Sequence, residues 1–399
     1  MKAFYENVSE MEPLLPSREG LEENAILLLK RSSELEAFLH PITRTGVARL
    51  ITLMNSYYSN LIEGNPTLPL DIERALHGEY KTDSTKRGLQ LEAKAHVEVE
   101  LEFEEKLRRH PDHNICSAEF LKDIHRALYD RLPPEFRIVR DEHGNEVEII
   151  PGELRKGPVS VGGHIPPLAS SLDRFLARFE RVYEPSRQRS SIDRILVAAA
   201  SHHRIAWIHP FPDGNGRVGR LFTHFYFVRA SLGGNGLWAL SRGLARKRDE
   251  YYAALAAGDA HRYNDYDGRG NLSLKGLNSF VAFLLDTSID QVDFMGKMLE
   301  LDTAGRRLRE YARVLAAREE LGVNAAEAVD RVLTAIFARG ELPRREISHV
   351  TGMPDRSARR ITELLSKNRI IVSDTPLAPW KLNFTVDSAR SIFPALFPV

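Results

Sequence analysis

Apolar residues recur at three- and four-residue steps along most of this chain, the spacing of one buried helix face. EENAILLLKRSSELEAFL (22–39), GVARLITLMNSYYSNLIEG (46–64), TKRGLQLEAKAHVEVELEFEEKLRR (85–109) and SAEFLKDIHRALYDRL (117–132) each predict a helix. The same spacing continues in SSLDRFLARFERVY (170–183), SSIDRILVAAASHHRIAWI (190–208), RVGRLFTHFYFVRASL (217–232), RDEYYAALAAG (248–258) and 273–299. One stretch breaks it: Phe136 to Gly163 is rich in Val and Ile around a Gly144–Asn145 turn, which predicts a hairpin laid on a helical body. From about Val323 the texture changes to three short helical blocks and then a strand. Gly352-Met353-Pro354 separates two of those helices, with Asp355 or Ser357 as the expected cap of the second. That is helix-turn-helix spacing, and the strand-forming RIIVSDTPLAPWKLNFTV after it predicts a two-stranded wing.

Composition narrows the class. A chain of 399 residues with 43% hydrophobic content suffices for two or three domains. Its formal net charge is zero, so no global field draws it to nucleic acid or membrane. Cys116 is the single cysteine, which excludes an internal disulfide and a Cys-rich zinc site. With neither a signal pattern in the first twenty residues nor an apolar run of membrane length, the expectation is a soluble cytoplasmic protein without a membrane partner.

The candidate chemistry sits in HPFPDGNGRVGR, His209 to Arg220. Asn215-Gly216 is a hairpin signal, but helical patterns flank it where strands are required. Gly214 to Gly219 matches G-x-G-x-x-G, yet no strand precedes it and no acidic residue stands about twenty positions on. A phosphate cradle uses every residue. Gly214 and Gly216 let successive N–H groups converge, and the helix that starts there adds its positive end. Arg217 and Arg220, three apart, share a face and can grip phosphate oxygens. Asp213 beside phosphates implies a bridging Mg²⁺. His209 is neutral at pH 7 and can take a proton.

Those twelve residues resemble the signature of the Fic family, H-P-F-x-[D/E]-G-N-G-R-x-x-R, without departure. The resemblance extends over a core from about Lys81 to Leu285 and includes the hairpin, whose GELR (Gly152–Arg155) and VSVGG (Val159–Gly163) look like the family's flap. It implies transfer of a nucleoside monophosphate, usually AMP from ATP, onto a Ser, Thr or Tyr hydroxyl of a target protein. His209 would be the general base and Asp213 the Mg²⁺ ligand. Gly214, Asn215 and Gly216 would form the anion hole, Arg217 and Arg220 would hold the β- and γ-phosphates, and Phe211 would anchor the loop. The flap residues Val159, Ser160, Val161 and Gly162 would position the target by strand addition. Tyr251 and Tyr252 lie where the family contacts the base, with core packing the equal alternative; Tyr252 is taken as the nucleotide contact.

Glu63 sits just before a Gly64 helix stop, where its charge opposes the macrodipole. Ser59 and Glu63 fit the family's inhibitory motif, [S/T]-x-x-x-E-[G/N]. By that resemblance Glu63 pairs with Arg220 and denies it to the γ-phosphate, from a helix (about 46–63) of the same chain or of a dimer partner. In some relatives this glutamate aligns a water for AMP removal, and both roles stay open.

Arg356, Arg359 and Arg360 fall on the expected recognition helix, but Glu341 to Lys381 holds eight Lys/Arg against five Asp/Glu, an excess of three. Winged helices also dock proteins, so DNA is a possible partner and not a required one. The expected fold is mainly α: a Fic-type helical bundle with a β-hairpin flap and a C-terminal winged helix-turn-helix domain. Its expected boundaries are 1–80 for the N-terminal helical region, 81–290 for the catalytic core, 291–322 for a linker helix and 323–399 for the winged helix. The expected function is self-inhibited AMP transfer; the rivals are a DNA-binding regulator that senses nucleotide, another nucleotide donor, and AMP removal.

Overall fold

A computed structural model describes residues 5–140, 144, 146–159, 162–232, 234–320 and 322–398, with the side chain of Asn235 left aside. The described chain is mainly helical, and no described helix is long and apolar enough to cross a membrane. It divides into two units, Met1–Arg31 with Asn55–Gly233 and Ala239–Gln291, and Ser32–Met54 with Gly234–Trp238 and Val292–Val399.

In the first unit four helices surround the site. Ser84–Arg109 is capped by Asp83, whose carboxylate accepts from Lys86 N at 2.8 Å, and Lys106, Arg108 and Arg109 complement its dipole at the far end. Ala118–Asp130 is capped by Ser117 and buries Phe120, Leu121, Ile124, Leu128 and Tyr129 along one face. Ser191–Ile208 packs along Asn215–Arg229, and the first two helices pack on the latter. Their shared core is aromatic. Phe103 stacks on Phe225 at 5.6 Å, Phe120 meets both edge-on, and Phe179 tilts onto Phe222.

The periodic segments fold as helices close to the expected limits, with informative exceptions. The helix expected from residue 46 begins at Pro41, because proline's fixed φ suits a first turn where its missing N–H is not needed. Pro69 opens a further helix, Pro69–Leu76, for the same reason. The hairpin is shorter than its Val/Ile content suggests: Ile138–Arg140 pairs antiparallel with Glu146–Glu148, Val139 opposite Val147. Asn145 of the expected turn lies outside the described residues, and from Ile149 to Val159 the described chain is irregular. Pro151, Gly157 and Pro158 in that run oppose a strand.

In the second unit Leu301–Arg318 packs on Val323–Arg339. A three-stranded antiparallel sheet follows, ordered Glu341–Leu342, Trp380–Leu382, Ile371–Val372, with Leu342 opposite Trp380 and Ile371 opposite Leu382. Between its strands run Ile347–Thr351 and Asp355–Lys367, separated by Gly352 at φ 67°. The expected cap is corrected here. Pro354 holds the cap position without a side-chain bond, and Asp355 is already the first helical residue, accepting from Ser348 Oγ. Val386–Ile392, capped by Thr385, adds a helix that the wing reading lacked.

Candidate active site

The glycine-rich motif forms the joint between two packed helices. Ser191–Ile208 ends because His209 turns left-handed, φ 49°, a conformation that costs a non-glycine residue about 1–2 kcal/mol. Gly214, φ 76°, caps the next helix, and a Cβ there would stand 2.8 Å from Tyr129 Oη, so both shape and space require glycine. Asn215 braces the loop between them: its Oδ1 accepts from Phe211 N at 2.9 Å and its Nδ2 donates to Phe211 O at 2.8 Å. Phe211 is fully buried and stacks on His125, centroids 4.2 Å apart.

Arg155 clamps the same loop from outside the motif. Its Nε donates to His209 O at 2.8 Å, Nη1 to Gly157 O at 3.1 Å and Nη2 to Pro167 O, while its backbone N–H donates to Pro210 O at 3.0 Å. Burial lowers the Arg155 pKa to about 10, so the group stays cationic. Burial, then the charges of Arg155 and His164, hold His209 down at about 4. The His209 imidazole is therefore neutral at pH 7, ready to accept a proton.

The acidic and basic members of the motif are paired. Burial works to raise Asp213, but Arg217, the Tyr129 hydroxyl and Gly214 N–H outweigh it and hold the carboxyl below its ordinary range. Tyr129 Oη donates to Asp213 Oδ2 at 2.6 Å, and Arg217 Nη2 lies 3.3 Å from the same oxygen. Arg217 also donates to Tyr129 Oη at 3.0 Å and stands 3.5 Å from Glu92.

Arg220 turns the other way. Its Nη2 donates to Glu63 Oε1 at 2.7 Å and to Ser59 O at 3.0 Å, and its Nε donates to Ser59 Oγ at 2.9 Å. Glu63 lies in the turn that follows Ile62, with Gly64 at φ 86° behind it. Its carboxylate reaches the first turn of the motif helix only because Gly216 lacks a Cβ, which would stand 2.0 Å from Oε1. A cavity of about 1090 Å³ opens here, walled by Glu63, His209, Asn215, Gly216, Arg220 and Tyr252 among others.

Residues 115–227 match the family model described as the Fic/DOC family. This stretch is a Fic domain. Over 114 residues the chain is 36% identical to "Protein adenylyltransferase Fic" of Drosophila persimilis, covering 28% of this chain and 22% of that relative. The protein of the same name from Drosophila melanogaster is 35% identical over 114 residues, 23% of its length. The matched stretch thus spans under a quarter of these curated relatives. In fold, the chain is similar to Fic-1 from C. elegans, with a TM-score of 0.50 at 18% identity, over 68% of this chain and 71% of that one.

The Fic motif residues come together, but unevenly. His209, Asn215, Gly216, Arg220 and Glu63 share the cavity, and Tyr252 forms part of its wall with its hydroxyl 3.4 Å from Ile62 O. Tyr251 also lines the cavity, but it is buried and held from behind by a 2.8 Å hydrogen bond to His202. Asp213 and Arg217 face Tyr129 and Glu92 and are not among the cavity walls. Of the flap residues, Gly162 lines the cavity, Val159 belongs to no strand, and Ser160 and Val161 lie outside the described residues. Tyr129, Glu92 and the Arg155 clamp escaped the sequence reading. Tyr129 and Glu92 sit on amphipathic helices far upstream, where nothing distinguishes them from packing or surface positions. Arg155 lay inside GELR, but its backbone targets carry no side-chain signature.

Proposed function

We propose that this protein transfers AMP from ATP to a hydroxyl of a target protein, and that Glu63 holds the reaction in check. The observation that carries the reading is the Glu63–Arg220 contact of 2.7 Å at the edge of the cavity that also receives His209. An arginine suited to a terminal phosphate is occupied by a carboxylate of the same chain, beside a neutral base.

In the reaction the target oxygen attacks the α-phosphorus, the new O–P bond forms, and the bond from the α-phosphorus to the bridging oxygen breaks. Pyrophosphate leaves with that oxygen, and the hydroxyl proton passes to a His209 nitrogen. N–H groups at the start of the motif helix, with Gly214 and Gly216 leaving them bare, offer donors to the charge that builds on phosphate oxygens. Asp213 fits a Mg²⁺ ligand: it is kept ionised, and both its tyrosine and arginine contacts fall on Oδ2. A bound Mg²⁺ would neutralise the β- and γ-phosphates. Once Glu63 leaves, Arg220 is free to take a phosphate oxygen.

Incubation with labelled ATP and Mg²⁺ tests this. Glu63→Gly should raise auto-modification about 5- to 30-fold, as expected when a partly exposed ion pair of about 1–2 kcal/mol is removed. His209→Ala added to it should abolish the label. Unchanged labelling in Glu63→Gly defeats the switch, and persistent labelling without His209 defeats the mechanism. For residues 323–399 we infer a winged helix that docks protein, since its arginines 356, 359 and 360 are exposed but the local charge excess is slight.

A further inference from the structure

A second cluster of ligating side chains lies one helical turn beyond Arg220 and outside the nucleotide cavity. His96, Glu100 and Glu104 stand at four-residue steps on one face of Ser84–Arg109, and His224 follows Arg220 by four residues on the motif helix. His224 Nε2 is 2.6 Å from Glu104 Oε1 and 4.0 Å from Glu100 Oε1. One ligating atom each of Glu100, Glu104 and His224 lies within 4.8 Å of the other two.

His96 points independently to a ligand. It is fully buried, its Nδ1 lies 3.8 Å from Glu100 Oε2, and neither of its ring nitrogens has a hydrogen-bond partner among the described residues. A buried imidazole without a partner is costly, and so is a carboxylate as buried as Glu100, at 2% exposure. A shared cation relieves both. Asn55 Nδ2 donates to Glu100 Oε2 at 2.6 Å and fixes that carboxylate from outside, as an outer-shell partner does.

We propose that Glu100, Glu104, His224 and His96 bind one divalent transition-metal ion of the zinc class. Two imidazoles with two carboxylates suit zinc in a tetrahedral arrangement, whereas Mg²⁺ and Ca²⁺ favour oxygen ligands throughout. Zinc–ligand bonds of about 2.1 Å put neighbouring ligand atoms about 3.4 Å apart. The separations of 2.6 and 4.0 Å bracket that value, so small rotations assemble Glu100, Glu104 and His224, and His96, 3.8 Å from the other Glu100 oxygen, must turn further to complete the set. His224 and Glu104 are partly exposed, at 14% and 31% of their side chains, and give the ion a way in. The ion displaces the proton that His224 shares with Glu104 and ties the long helix to the motif helix.

The test uses the full chain, stripped of metal, equilibrated with micromolar Zn²⁺ and analysed for bound zinc by mass spectrometry. The expected result is about one equivalent per chain and a melting temperature raised by several degrees. Glu104→Gln and His224→Gln should each lower bound zinc at least about fivefold, whereas Asp213→Asn should leave it unchanged. Glu104→Gln keeps size and sits at a partly exposed position, so it decides the matter if His224→Gln fails to fold. Wild-type protein that takes up no zinc overturns the site. So does a Glu104→Gln variant that keeps the full equivalent, or loss of the ion in Asp213→Asn.

Discussion

His209 shows how far a single side chain is set by its surroundings. Burial, with Arg155 and His164 nearby, lowers its pKa to about 4, so the site keeps a neutral base well below the ordinary histidine range. With Glu63→Gly protein, kcat/KM should therefore stay level as pH falls from 8 to about 5 and drop only through about 4. An acid limb centred near 6.5 would show an ordinary histidine. Tyr129 makes a second prediction at this scale. Its hydroxyl donates to Asp213 at 2.6 Å and accepts from Arg217 at 3.0 Å. Tyr129→Phe, in the Glu63→Gly background, should raise the KM for Mg·ATP by about 10- to 150-fold with a smaller change in kcat, the value of one hydrogen bond to a charged group. An unchanged KM would make Tyr129 a packing residue. His209, Asp213 and Arg220 were legible because loop chemistry is written in consecutive residues. Tyr129 was not, because its helix displays only an apolar face and its role depends on a residue 84 positions away.

At the scale of elements, the helices follow from periodicity and their ends from caps. Ser190 starts one and the left-handed His209 stops it; Gly214 starts the next. The segment after the hairpin was misjudged because Val and Ile content outweighed its prolines and glycines. Its work is done by Arg155, 5% exposed, whose side chain and backbone tie that irregular segment to the carbonyls of the motif loop. Arg155→Ala should lower stability by about 2–4 kcal/mol, since several buried carbonyls lose their donor together. Arg155→Lys should recover little of it, because one ammonium cannot reproduce the planar fork. A melting temperature within a degree of wild type in Arg155→Ala would contradict the clamp.

For the whole molecule, the balance of 55 Lys/Arg against 55 Asp/Glu leaves nucleic-acid affinity to local charge alone. The protein-docking reading of the C-terminal block predicts no retardation of duplex DNA in a gel at moderate salt. A shift that weakens steeply with salt and disappears when arginines 356, 359 and 360 become alanine would instead assign that block to DNA. The two-unit division was only partly visible beforehand. Composition marks the change near Val323, but nothing local reveals that Ser32–Met54 groups with the far end of the chain.

Under the proposed lock, the depth of the Glu63 contact also sets how silent a population of these molecules can be. Arg220 is almost wholly buried, but the Glu63 side chain is 39% exposed, so water and salt discount the pair to about 1–2 kcal/mol. A two-state lock of that depth leaves roughly one molecule in six to one in thirty open at any instant. The resting protein would then be a slow modifier with a basal trickle of product, and a partner that binds the open form only slightly better could turn that trickle into a signal.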